Sequence, residues 1–216
     1  MPKSISPKAE RLKALIDFDK RLYFLVLVLL FILIRYLTNA LIIESIPDSE
    51  NLDAKGELMI FHVFNTLDYI WTPFALLLKF TVIAFLFWVG GFFLGYKLSF
   101  KELWQFALVA EFVFLFPELI RFLVFIGTNS NVTFTEIMEY RPFSLLALFG
   151  PENLEDRYHY AFGTLNLFEL AYGYIWVLGF HAISNRPLRE SIFAVLLSYF
   201  LPLAIWLSWY IIVYRS

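Results

Sequence analysis

Long apolar runs, broken by short polar segments, dominate the chain. A helix needs about 20 mainly apolar residues to cross the hydrocarbon core of a bilayer. Five stretches reach that length: 22–43, 71–95, 103–127, 162–183 and 192–214. They predict an all-α, polytopic bundle of five transmembrane spans, one domain over 22–216, behind an amphipathic arm at 1–21. The arm mixes Lys8, Glu10, Arg11 and Lys13 with Leu12, Leu15 and Ile16, as a surface helix or a contact for anionic lipid does. The first run is too long for a signal h-region and carries Arg35, so it reads as a retained anchor. Two shorter segments are apolar without being long enough to span. Residues 58–70 are broken by His62, Asn65 and Asp68, and residues 143–149 lie between Pro142 and Pro151. Both are expected to fold over the end of the bundle, because extending them into water exposes too much apolar area.

Composition strengthens the membrane reading. Of the 216 residues 60% are hydrophobic, 20% aromatic and only 17% charged, against roughly 45–50% apolar and 25% charged in soluble domains. A formal net charge of −2 offers no bulk attraction for nucleic acid. The absence of cysteine removes disulfides, thiolate metal sites and cysteine nucleophiles. The lipid bilayer and other membrane subunits are the expected partners, with self-association left open.

Lysine and arginine set the orientation. Six lie in the first 21 residues; Lys97, Lys101, Arg186 and Arg189 occupy the turns after the second and fourth spans. The opposite loops and the C-terminus carry Lys55, Arg141, Arg157 and Arg215. The positive-inside rule then predicts a cytoplasmic N-terminus and, with five spans, a C-terminus outside. The loops assigned to the outside are acidic.

No HExxH, GxSxG, phosphate-binding loop or dinucleotide fingerprint occurs. Glu118-x-x-Arg121 resembles one element of membrane-embedded CAAX-type proteases, but the paired glutamates and histidines that such chemistry needs are missing. His62, His159 and His181 fall at different ends of the predicted spans and make no metal site. The expectation is a protein without catalysis, metal or cofactor. Asn131-Val132-Thr133 is a sequon that matters only in an ER lumen. Gly91-x-x-x-Gly95 predicts a close helix contact, inside the chain or across a dimer. Pro117 and Pro202, inside spans three and five, predict kinks, because each lacks an N–H and clashes with the carbonyl four residues earlier.

Six ionisable residues stand inside the spans: Arg35, Lys79, Glu111, Glu118, Arg121 and Glu169. Each costs about 2.5–3.5 kcal/mol near a helix centre on insertion scales, so they should pair within the bundle. Counted from the predicted span ends at about 1.5 Å per residue, Arg35, Lys79, Glu118, Arg121 and Glu169 lie about 9–13 Å deep, in one charged layer. Glu118 and Arg121 can also meet on one helix. Glu111 falls roughly 10 Å further in. It has no evident cationic partner there and is a candidate cavity or proton site. The charges either fix helix register or line a polar cavity.

Two segments, FWVGGFFLGYKLSFKELWQFALVAEFVFLFPEL and GTLNLFELAYGYIWVLGFHAI, resemble the Yip1-like family of five-span membrane proteins, bacterial type. The resemblance runs from position 71 to the end. It implies five spans with a cytoplasmic N-terminus and no catalysis. The Asp-Leu-Tyr-Gly-Pro element of the eukaryotic, Rab-binding relatives is missing, so that role does not carry over. The expected function is a non-catalytic membrane scaffold or subunit of a larger membrane assembly. The alternative is a small transporter or an ion or proton pathway that uses the intramembrane charges. The expected location is a bacterial inner membrane.

Overall fold

The computed structural model describes residues 18–46, 49–54, 56, 58–126 and 134–214, and every regular element among them is helical. Residues 1–17 of the arm and the Asn131-Val132-Thr133 sequon lie outside the described residues. In chain order the helices are α1 (Lys20–Glu44), α2 (Ser49–Ala54), α3 (Met59–Phe93), α4 (Phe100–Ala110), α5 (Leu115–Phe125) and α6 (Phe134–Glu139). They continue with α7 (Leu145–Phe149), α8 (Asp156–Thr164), α9 (Leu167–Ser184), α10 (Leu188–Val195) and α11 (Leu201–Val213). A 3₁₀ turn, Glu111–Phe114, joins α4 to α5, and a π turn, Leu196–Phe200, joins α10 to α11. Among the described residues four helical runs are long and apolar enough to cross a membrane: α1, α3, α9 and the continuous Leu188–Val213.

The third predicted span, 103–127, is the exception. The 3₁₀ turn divides it into two helices of 11 residues each, and each is about 16 Å long. Pro117 cannot donate to the Val113 carbonyl, so the chain tightens just before it. At Pro202 the same deficit is met the other way, by widening into the π turn.

Several predicted boundaries move. The second span begins at Met59 rather than 71, and residues 58–70 do not fold over the bundle. They continue α3 as one helix of 35 residues, about 52 Å long, with Met59, Ile60, Phe64 and Ile70 exposed. The polar positions do not interrupt the helix: His62 reaches back to Asp53 of α2 at 3.0 Å, and Thr66 donates to the His62 carbonyl. The fourth span begins at Leu167 rather than 162. Leu165 is extended, and the Asn166 side chain accepts from the Glu169 N–H to cap α9. The fifth begins at Leu188, after Pro187. Segment 143–149 is a short helix capped by Ser144. It buries Leu146 against α8 but leaves Phe143, Leu148 and Phe149 exposed, so it covers the bundle end only in part.

Aromatic packing holds the centre. Phe87 stacks on Trp176 with ring centroids 3.8 Å apart, and Phe106 meets the same indole edge-on at 4.9 Å. Phe80, Phe180 and Tyr172 complete a fully buried group from α3, α4 and α9. The Gly91-x-x-x-Gly95 motif is not one helix-packing face. Gly95, with φ +73° and open space around it, ends α3 in a Schellman turn: Tyr96 N–H donates to the Gly91 carbonyl and Gly95 N–H to the Phe92 carbonyl. Gly91 seats Leu98 of the following turn, and the close interhelical contact falls to Gly90, where an added Cβ would lie 1.9 Å from Ser198 Oγ of the π turn.

The two basic turns lie side by side at one end. Tyr96 donates to Glu190 at 2.8 Å, and the Arg186 guanidinium sits 4.7 Å from the Tyr96 ring centre. Partial burial, then the Glu190 carboxylate, raise the Tyr96 phenol above its ordinary value, so it remains a donor at physiological pH. The acidic loops gather at the other end.

Candidate functional site

A cavity of about 850 Å³ opens among the acidic loops and runs inward to Glu111 and Lys79. Arg35, Lys79, Glu111, Glu118 and Glu169 all line it, so it collects five of the six ionisable residues within the predicted spans. Arg121 stays beside it, paired with Glu118 at 2.6 Å on one face of α5. None of the six points alone to the outside of the bundle.

At the floor, Lys79 of α3 reaches across to the 3₁₀ turn and binds Glu111 at 2.6 Å. Glu111 is therefore not without a cationic partner, and it does not sit on a level of its own. Depths counted from span ends placed Lys79 too high, because α3 extends well past the predicted end of its span. Glu111 is 2% exposed, whereas the Lys79 side chain is 39% exposed, toward the cavity. The lysine ammonium also lies 3.7 Å from the centre of the Phe114 ring, a cation–π contact that partly replaces lost hydration. The other carboxylate oxygen of Glu111, Oε2, and the Tyr172 hydroxyl are buried without a hydrogen-bond partner in the described chain.

Glu169 stands in the first turn of α9, set there by the Asn166 cap, and accepts a hydrogen bond from the Tyr199 hydroxyl. The π turn is what presents Tyr199 to it. No cation makes an ion pair with Glu169 among the described residues, although Lys79 lies within electrostatic reach. Arg35 of α1 donates to the Thr72 hydroxyl of α3 at 3.1 Å, and Thr72 in turn donates to the Asp68 carbonyl. No described carboxylate pairs with Arg35. The expected single layer of matched charges thus resolves into two ion pairs, a guanidinium held by a threonine and a carboxylate held by a tyrosine.

At the mouth, Arg141 donates to the Met138 and Tyr140 carbonyls. His159 Nε2 lies 3.0 Å from the Pro151 carbonyl and 3.2 Å from that of Leu154, which fixes the proton on that nitrogen. Sequence inspection placed both residues in loops and gave neither a role. Thr72, Tyr172 and Tyr199 were missed, since hydroxyl side chains are unexceptional in apolar helices. Asn166 carried a readable signal, an Asn three residues before a Glu at the head of an apolar run. No three or more His, Asp or Glu side chains among the described residues are grouped to hold a metal ion.

The arrangement is an open pocket, walled in part by aromatic side chains, with charges of both signs in the interior of an apolar bundle. Such a pocket can bind a small charged solute or ion. No family model, no curated protein and no solved structure matches the chain.

Proposed function

We propose that the chain is a small polytopic membrane protein that acts without catalysis and takes a small charged solute or ion into its cavity from the acidic end. Five spans, a cytoplasmic N-terminus and a bacterial inner membrane belong to the same proposal. They rest on the lysine and arginine asymmetry and on the resemblance to Yip1-like proteins. The observation that carries the functional reading is the convergence of five span charges on one cavity. Charges kept only to fix helix register need contact each other and nothing more; these line a space large enough for a solute. Reconstitution into proteoliposomes tests it. Uptake or equilibrium binding of small ions and solutes should be measurable with the full chain and strongly reduced by Glu111→Gln. A folded protein that neither binds nor passes any ion or small solute would sink this reading.

A second reading, a subunit of a larger membrane assembly, is favoured by one feature. The first third of α3 exposes Met59, Ile60, Phe64 and Ile70 beyond the contacts of its own bundle. Crosslinking in native membranes separates the two readings. A recurrent partner captured through positions 59–70 supports assembly, and only monomer counts against it.

A further inference from the structure

We propose that the ligand of the cavity is a small zwitterion, its ammonium group seated at the Glu111–Glu169 floor and its carboxylate taken by Arg35. This rests on the cavity being a solute site and names the class of solute. The cavity's span charges do not all cancel locally. Glu118 is matched by Arg121 at 2.6 Å. Lys79 binds Glu111 at 2.6 Å and also lies within electrostatic reach of Glu169, so one cation faces two carboxyl groups and the floor carries one acid more than it has bases to match. Arg35 has the opposite excess: one N–H goes to Thr72, no carboxylate among the described residues pairs with it, and it lines the cavity with further donors of its guanidinium.

The two excesses are held apart by α3 itself. Thr72 and Lys79 are seven residues apart on that helix, about 10 Å along its axis. Arg35 is tied to the Thr72 end of that interval and Glu111 to the Lys79 end, and both line the same cavity, an arrangement that suits a molecule a few bonds long with opposite charges at its ends. Two features make the floor a fixed receptor. Tyr199 donates to Glu169 and sets its carboxylate, and Glu111, which lines the cavity, keeps Oε2 buried and without a hydrogen-bond partner among the described residues. A lone cation would gain nothing from Arg35, and a lone anion would be repelled by the floor. Only a ligand with both charges relieves both.

The test uses the full chain in detergent micelles, with isothermal titration and thermal unfolding. The probes are γ-aminobutyrate, butylamine and butyrate, which share one carbon skeleton, followed by β-alanine and the common α-amino acids, each with its matched amine and acid. The expected result is binding by at least one zwitterion and none by its single-charge analogues at the same concentration. Arg35→Gln and Glu169→Gln should each weaken that binding about ten- to hundredfold, the loss for one charged hydrogen bond, while their unliganded unfolding stays cooperative. If either variant fails to fold, the probe comparison on the unaltered chain still decides. An amine or an acid that binds as tightly as its zwitterion overturns the assignment but leaves a solute site standing. So does binding confined to inorganic ions. Binding by no probe and no ion overturns both.

Discussion

Lys79 is half open to the cavity while its partner Glu111 is sealed, and that asymmetry decides which substitution hurts. Lys79→Met leaves a buried carboxylate without its cation. The expected loss is about 3 kcal/mol, the low end for breaking a buried pair, since the lysine is 39% exposed. Adding Glu111→Leu should recover most of it, measured by unfolding in mixed micelles. Tyr199→Phe removes the donor to Glu169 and should cost about 1.5–3 kcal/mol, the range for a hydrogen bond to a charged group. The charged members of the site were legible in the sequence because any Arg, Lys or Glu inside an apolar run is costly and stands out. Their partners were not. Thr72 and Tyr199 can face lipid, core or cavity with equal plausibility from sequence, and only the fold chooses.

Among the elements, two neighbouring glycines should respond differently to the same change. Gly90→Ala drives a methyl into Ser198 and should cost about 1–3 kcal/mol as overpacking, with Ser198→Ala restoring a good part. Gly95→Ala meets no neighbour; its penalty is the left-handed backbone alone, about 1–2 kcal/mol, and Ser198→Ala leaves it unchanged. Thermal unfolding of the four variants checks the contrast. The prolines announced two irregular turns in the sequence but not their kind. A missing donor can be met by tightening or by widening the helix. A different contact accompanies each: Lys79 holds Glu111 at the 3₁₀ turn, and Gly90 receives Ser198 at the π turn. The start of α9 was obscured because apolar Phe162 precedes the Asn166 cap and smoothed the hydropathy profile across the break.

For the whole molecule, the all-helical class and the membrane-length helices followed from run length alone, whereas the cavity is a property of packing that no single run contains. The proposed orientation has a direct test, since the chain lacks cysteine and single cysteines report without background. Asn153→Cys, among the acidic loops, should react with an impermeant maleimide in intact cells, and Ser99→Cys, at the basic end, only after permeabilisation; the reverse pattern would invert the topology. The 35-residue α3 adds a mechanical consequence. Its length of about 52 Å exceeds the roughly 30 Å hydrocarbon core, and mismatch of that size is relieved by tilting, by thickening the bilayer or by emerging from it. Thr72 and Lys79 ride on this helix, so its tilt moves the anchors of Arg35 and Glu111 relative to α5 and α9. Cavity shape should then follow lipid chain length, and on the solute-site reading proposed above binding measured in nanodiscs of short-chain and long-chain lipid should differ in affinity.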